Sequence, residues 1–149
     1  MFILIIGIAA SSIAGTLAWA SARSGEPALQ RQALAAAESI LNEVLSQPFG
    51  ADDPDGGPEA IGPEPGEARG HAVTPFDHVN DYHGYNSVGI RDAHDAPIAG
   101  LEAYRVAVTV QPQALDGVAA ADGLLVRVQV SGPAGIVVPL TGFRARTSP

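Results

Sequence analysis

Residues 74–86, TPFDHVNDYHGYN, gather the side chains best suited to chemistry: two His, two Asp, two Tyr and a Phe. His78 and His83, with Asp77 and Asp81 beside them, offer imidazole and carboxylate groups of the kind that ligate zinc. The same groups could act as acid and base if a cleft brought a substrate to them. The spacing argues against a built metal centre, because neither an i,i+4 His pair nor H-E-x-x-H is present. The segment therefore reads as a structured loop, pinned by its aromatics, in which Asp and Asn bond their own backbone. No metal or cofactor is expected, and Asp77, His78, Asp81 and His83 are the weak candidates. Asp52, Asp53 and Asp55 before Gly56 invite a calcium reading, but the EF-hand register puts Ala51 first and Gly62 twelfth, where ligands should stand. A solvated acidic turn is the simpler reading. Ser, His and Asp occur without a G-x-S-x-G elbow, and a sheet of three or four strands under one helix should leave little cleft volume. No catalytic residue and no small-molecule substrate are expected.

Composition narrows the classes further. The chain has 149 residues, with 16 acidic against 8 basic side chains and a net charge of −8. All basic residues are Arg. An acidic surface of this kind cannot neutralise phosphates, so no nucleic-acid partner is expected. With no Cys there is neither a disulfide nor a thiolate site.

Residues 1–22, MFILIIGIAASSIAGTLAWASA, carry no charge before Arg23. A run of about 20 apolar residues can cross a bilayer as a helix, and a transmembrane anchor is the favoured reading. A signal peptide cleaved near Ala20 is the alternative, supported by Ala18-Trp19-Ala20 but lacking a basic n-region. Gly7, Ser11 and Gly15 form a small-xxx-small stripe that would let helices approach closely in lipid. Arg23 and Arg31 leave the orientation ambiguous by the positive-inside rule.

Residues 23–49 read as an amphipathic helix, strongest over 28–47. Leu29, Ala33, Ala36, Ala37, Ile40, Leu41, Val44 and Leu45 share one stripe. Pro27 suits the first turn, while Pro48 and Gly50 end the helix. If the Ser24-Gly25 break is weak, residues 1–47 approximate one helix of about 70 Å. Residues 50–100 read as a Gly/Pro/Asp-rich loop region containing the structured 74–86 segment. From 101 to 149 the pattern is β. Tyr104, Val106, Val108 and Val110 alternate with polar or small residues, and Leu124, Val126, Val128 and Val130 alternate with Leu125, Arg127, Gln129 and Ser131. Ile136, Val138 and Leu140 make a third strand, placed at an edge by Pro139; Phe143 to Arg146 make a fourth. The expected fold is α+β, with a long N-terminal helix, half in membrane and half amphipathic, packed on a small antiparallel meander.

This order resembles the type IV pilin and pseudopilin superfamily, and within it the minor pilin-like proteins of MSHA pilus biogenesis. The residues carrying the resemblance are Arg31-Gln32-Ala33-Leu34, Ala37-Glu38, and Leu41 to Leu45 running into Gln47-Pro48-Phe49. They continue through Phe76 to Gly84, Tyr104-Arg105-Val106 and Gly142-Phe143-Arg144. The resemblance implies a minor subunit held in the bacterial inner membrane by a single span, with its C-terminal head in the periplasm. It would later enter a pilus or a secretion-type pseudopilus, packing through the N-terminal helix against other pilin subunits. Pilin precursors also carry a basic leader and a Gly-Phe-Thr-Leu-Ile-Glu type segment, where the leader is cut and the new terminus methylated. Met1 to Gly7 look like the part following that Glu, so further residues are expected to precede Met1, and processing falls on no residue of this sequence.

Overall fold

A computed structural model describes residues 26–50 and 60–146. The anchor over 1–22, the Gly7/Ser11/Gly15 stripe and the Asp52–Asp55 turn lie outside these residues. Among the described residues no helix is long and apolar enough to cross a membrane. The helix α1 spans Glu26–Ser46. Pro27 sits in its first turn, where no intrahelical N–H bond is lost, and Glu26 faces the positive end of the helix dipole. Ala33, Ala36, Ala37, Ile40 and Val44 are the buried stripe, with Leu29, Leu41 and Leu45 packed along its flanks. At the far end the Ser46 hydroxyl donates to the Asn42 carbonyl at 2.6 Å, and Pro48 prevents continuation.

The strands are β1 (Asn86–Val88), β2 (Arg105–Pro112), β3 (Gly123–Ser131) and β4 (Val137–Ala145). They form one antiparallel meander in the order β1-β2-β3-β4. The period of two fixes which face is covered. Val106, Val108 and Val110 lie opposite Val130, Val128 and Val126. These in turn lie opposite Val138, Leu140 and Gly142. That face is buried under α1, which rests mainly on β3 and β4. Each fully buried aliphatic side chain contributes about 1.5–3 kcal/mol relative to exposure. Arg105, Thr109, Arg127, Gln129 and Thr141 occupy the outer, solvated face. Gly142 is what lets α1 come close: a Cβ there would stand 2.6 Å from Leu45 Cδ1 and 3.2 Å from Leu41 Cδ1. Tyr104 locks the other end of the helix, its hydroxyl donating to Gln32 Oε1 at 2.8 Å.

The α+β architecture and the edge position of Pro139 agree with expectation, and two details differ. Phe143 to Arg146 do not form a separate strand; residues 143–145 prolong β4, because Gly142 keeps its place in the ladder opposite Val126. A further strand, β1, lies within the 50–100 region read as loop. Its three residues, Asn86-Ser87-Val88, are too few and too polar to show a period.

Candidate functional site

The 74–86 segment is held by its own side chains. Asp81 Oδ2 accepts the backbone N–H of Asp77 at 3.0 Å and of His78 at 2.8 Å, closing a loop that leads into a single 3-10 turn, Asn80–Tyr82. The Val79 N–H donates to the Pro48 carbonyl at 3.0 Å, tying the loop to the chain just past α1. Phe76 packs edge-on against Tyr82 and Tyr85, with ring centroids at 5.1 and 6.4 Å. The expected roles of the aromatics and of Asp81 are thus met in the fold.

Three of the four candidate residues come together. Ligand-capable atoms of Asp77, His78 and Asp81 lie within 4.8 Å of one another, and His78 Nδ1 is 2.8 Å from Asp77 Oδ1. His83 goes elsewhere. Its Nδ1 sits 2.8 Å from the Val110 carbonyl and 3.2 Å from the Val110 N–H, so the imidazole covers the stretch of the β2 edge that β1 is too short to reach. A second group, Glu64, Glu67 and Asp81, also has ligand-capable atoms within 4.8 Å of each other. Asp81 belongs to both and is wholly buried; its Oδ1 has no hydrogen-bond partner. Burial raises the Asp81 pKa against the lowering effect of the His78 and Asp77 N–H groups, and Glu64 adds to the rise. A hydrogen bond that the protonated Glu67 carboxyl donates to the Glu64 side chain, then partial burial, raise Glu67 from 4.5 to about 7. These carboxyls are crowded enough to favour a retained proton.

A larger polar assembly stands beside this one. Arg69, only 5% exposed, meets Glu43 of α1 with Nε to Oε1 and Nη2 to Oε2 both at 2.7 Å. Its Nη1 donates to the Tyr85 hydroxyl at 3.0 Å, which donates to Asp95 Oδ1 at 3.1 Å. The Tyr82 hydroxyl donates to Glu43 Oε1 at 2.9 Å, and Arg91 Nη1 donates to the Asp95 carbonyl at 2.7 Å. Two cations and two anions are balanced, and the buried Arg69 among them has the paired partner that a charge taken out of water requires. Burial alone would weaken the hold of Arg69 on its proton, yet the Glu43 carboxylate and Tyr85 raise its pKa overall. Burial, then the Glu43 charge, push the Tyr82 phenol well above its ordinary value. Gly70 makes the placement possible. Its φ is +72°, and a Cβ would meet the His94 carbonyl carbon at 2.4 Å, so only glycine lets 69–70 lie against 94–95.

The loops also create space where little was expected. A groove of about 700 Å³ separates α1 from residues 90–101, with Ala36, Ile40, Ile90, Ile98 and Leu101 among its walls. A second of about 540 Å³ is lined by His71, Phe76, Tyr82 and His94. Glu43 and Arg69 border both. Both openings lie between the helix and the loops that flank β1, whose own residues pair with β2. Both grooves are of a size that holds small ligands, but the Arg69 guanidinium and Glu43 carboxylate on their walls already bond each other. No protein family, curated protein or solved structure matches the chain.

Proposed function

We propose that the chain is a minor pilin-like, or pseudopilin, subunit of the kind represented by the MSHA pilus biogenesis protein MshD. In this reading residues 1–22 anchor it by one span in the bacterial inner membrane, and the head of α1 and the meander stands in the periplasm. It then enters, or primes, a pilus or secretion-type filament by exchanging lipid contacts for neighbouring subunit helices. Gly7, Ser11 and Gly15 supply the close approach. The role is structural, and its partners are other pilin subunits.

The observation that carries the reading is how the segments bearing the resemblance meet. Gln32 bonds Tyr104 at 2.8 Å, Glu43 bonds Tyr82 at 2.9 Å, and the Pro48 carbonyl accepts from Val79 at 3.0 Å. Leu41 and Leu45 close over Gly142. Far-separated motifs that lock one helix to one meander are what a filament head needs: a rigid body fixed to the helix that moves it.

The test is an intact mass and N-terminal peptide map of the protein made from its native locus, taken from carbonate-washed membranes. Residues preceding Met1, with a trimmed and methylated start, support the subunit. A soluble product beginning at Ser21 sinks it and leaves an exported β-rich binding module. In a second arm, Gly7→Leu with Gly15→Leu should leave membrane insertion intact while lowering recovery in sheared filaments.

A further inference from the structure

Asp81 is a buried carboxylate with unequal oxygens. Oδ2 is saturated by the Asp77 and His78 N–H groups. Oδ1 is buried and accepts from nothing, an arrangement that leaves its desolvation unanswered, more so for a charged oxygen than for a neutral one. Above this floor stand two further carboxylates on the 61–68 turn. That turn is shaped by the Glu67 N–H on the Glu64 carbonyl at 3.0 Å and the Glu64 N–H on Glu67 Oε2 at 3.1 Å. It is moored to the 3-10 turn by the Gly62 N–H on the Asn80 carbonyl at 3.2 Å and Asn80 Nδ2 on the Ala60 carbonyl at 2.9 Å.

We propose that Glu64, Glu67 and Asp81 form a binding site for a hard divalent cation of the calcium class, which pins the 61–68 turn onto the 77–81 segment. One oxygen from each residue lies within 4.8 Å of the others. Two ligands on one calcium, at about 2.3–2.6 Å each, can be no farther apart than about 5 Å, so the three already fit one coordination sphere. Three carboxylates binding through one or both oxygens, with water completing the shell, meet the irregular demand of Ca²⁺. Mg²⁺ requires a near-ideal octahedron that an exposed Glu64 and a half-buried Glu67 on a turn do not impose. Zn²⁺ favours nitrogen and would be drawn to the neighbouring Asp77, His78 and Asp81 group instead. The cation answers the lone Asp81 Oδ1 and relieves the crowding of like charges in one step. The site is independent of the filament reading, since it lies wholly within the head.

The experiment is calorimetric titration of CaCl₂ into the full chain, held in detergent and stripped with chelator at neutral pH, with MgCl₂ and ZnCl₂ as separate arms. The expected result is one saturable Ca²⁺ site with Kd of about 10⁻⁴–10⁻³ M, as for extracellular modules. Glu64→Gln with Glu67→Gln should weaken it at least tenfold while leaving the circular dichroism spectrum unchanged. Asp81→Asn, which keeps an oxygen for the two N–H groups, should weaken it likewise, and Asp77→Asn should not. No saturable Ca²⁺ heat, binding unaffected by the double variant, or Mg²⁺ binding as tight as Ca²⁺ overturns the proposal. So does a Zn²⁺ site that competes with Ca²⁺ and is lost in His78→Gln.

Discussion

Arg69 and Glu43 face each other as two parallel forks, both N···O distances 2.7 Å, and through them the irregular half of the head is fastened to the helix. The pair is reached by no local bonding; one member is in α1 and the other in the Arg69-Gly70 turn.

Removing one member should therefore cost far more than removing both. Arg69→Met leaves the half-buried Glu43 carboxylate with the Tyr82 hydroxyl but without its counter-ion, and a loss toward the low end of about 3–5 kcal/mol is expected. Arg69→Met combined with Glu43→Leu should recover part of that loss. Urea unfolding of the two singles and the double forms the cycle. Additive losses would mean the fork carries no coupling.

Gly70→Ala should also destabilise the head, although it adds one methyl. The residue holds φ at +72° and its Cβ would press on the His94 backbone, which cannot turn away as a side chain could. The expected loss is about 1–3 kcal/mol from overpacking. Amide exchange should quicken at Asp92, His94, Asp95 and Ala96, whose N–H groups bond within the Asp92 turn, before it quickens in β3.

In chelator, stability should fall as the pH rises. Glu67 is raised from 4.5 to about 7 in the folded head, and Asp81 is shifted in the same direction. Between those values the folded state holds more protons than the unfolded chain, so deprotonation favours unfolding. The melting temperature should therefore decline from about pH 4.5 to about pH 7, and Glu67→Gln should flatten the decline. A flat wild-type profile over that interval would contradict the crowding.

His83→Ala should expose the β2 edge at Val110, whose N–H and carbonyl both lie within 3.2 Å of His83 Nδ1. The expected loss is about 1 kcal/mol, the worth of one hydrogen bond, with faster exchange of the Val110 amide. A bared strand edge is also a pairing template, so light scattering at high concentration should rise. Unchanged exchange would show that the ring shields nothing.

The two kinds of order in this head differ in how they are written. Val106 to Val110 and Val126 to Val130 announce β2 and β3 through a period of two, and Ala33 to Val44 announce the helix face, because neighbours in sequence share one environment. The Asp81 loop was legible for the same reason, its bonds reaching only three or four residues back. Arg69 had no such signal, since its partner Glu43 stands 26 residues away; a lone cation amid Glu64, Glu67 and the preceding acids was the only hint. Histidines five apart argued against a metal pair but left their separate places open: His78 stays in its loop and His83 turns to β2. Strand β1 exists because β2 offers an edge to it, which no feature of Asn86-Ser87-Val88 declares.

The layering of the meander has a consequence for synthesis. The buried stripe of α1 is made first, while β4, which with β3 forms most of its bed, is made last. A ribosome or translocation channel delivering this chain releases a helix whose apolar side stays bare through more than half of elongation. Folding is thus deferred until nearly the whole head has emerged, and a chain cut within β4 should be a target for proteolysis rather than a shorter version of the same protein.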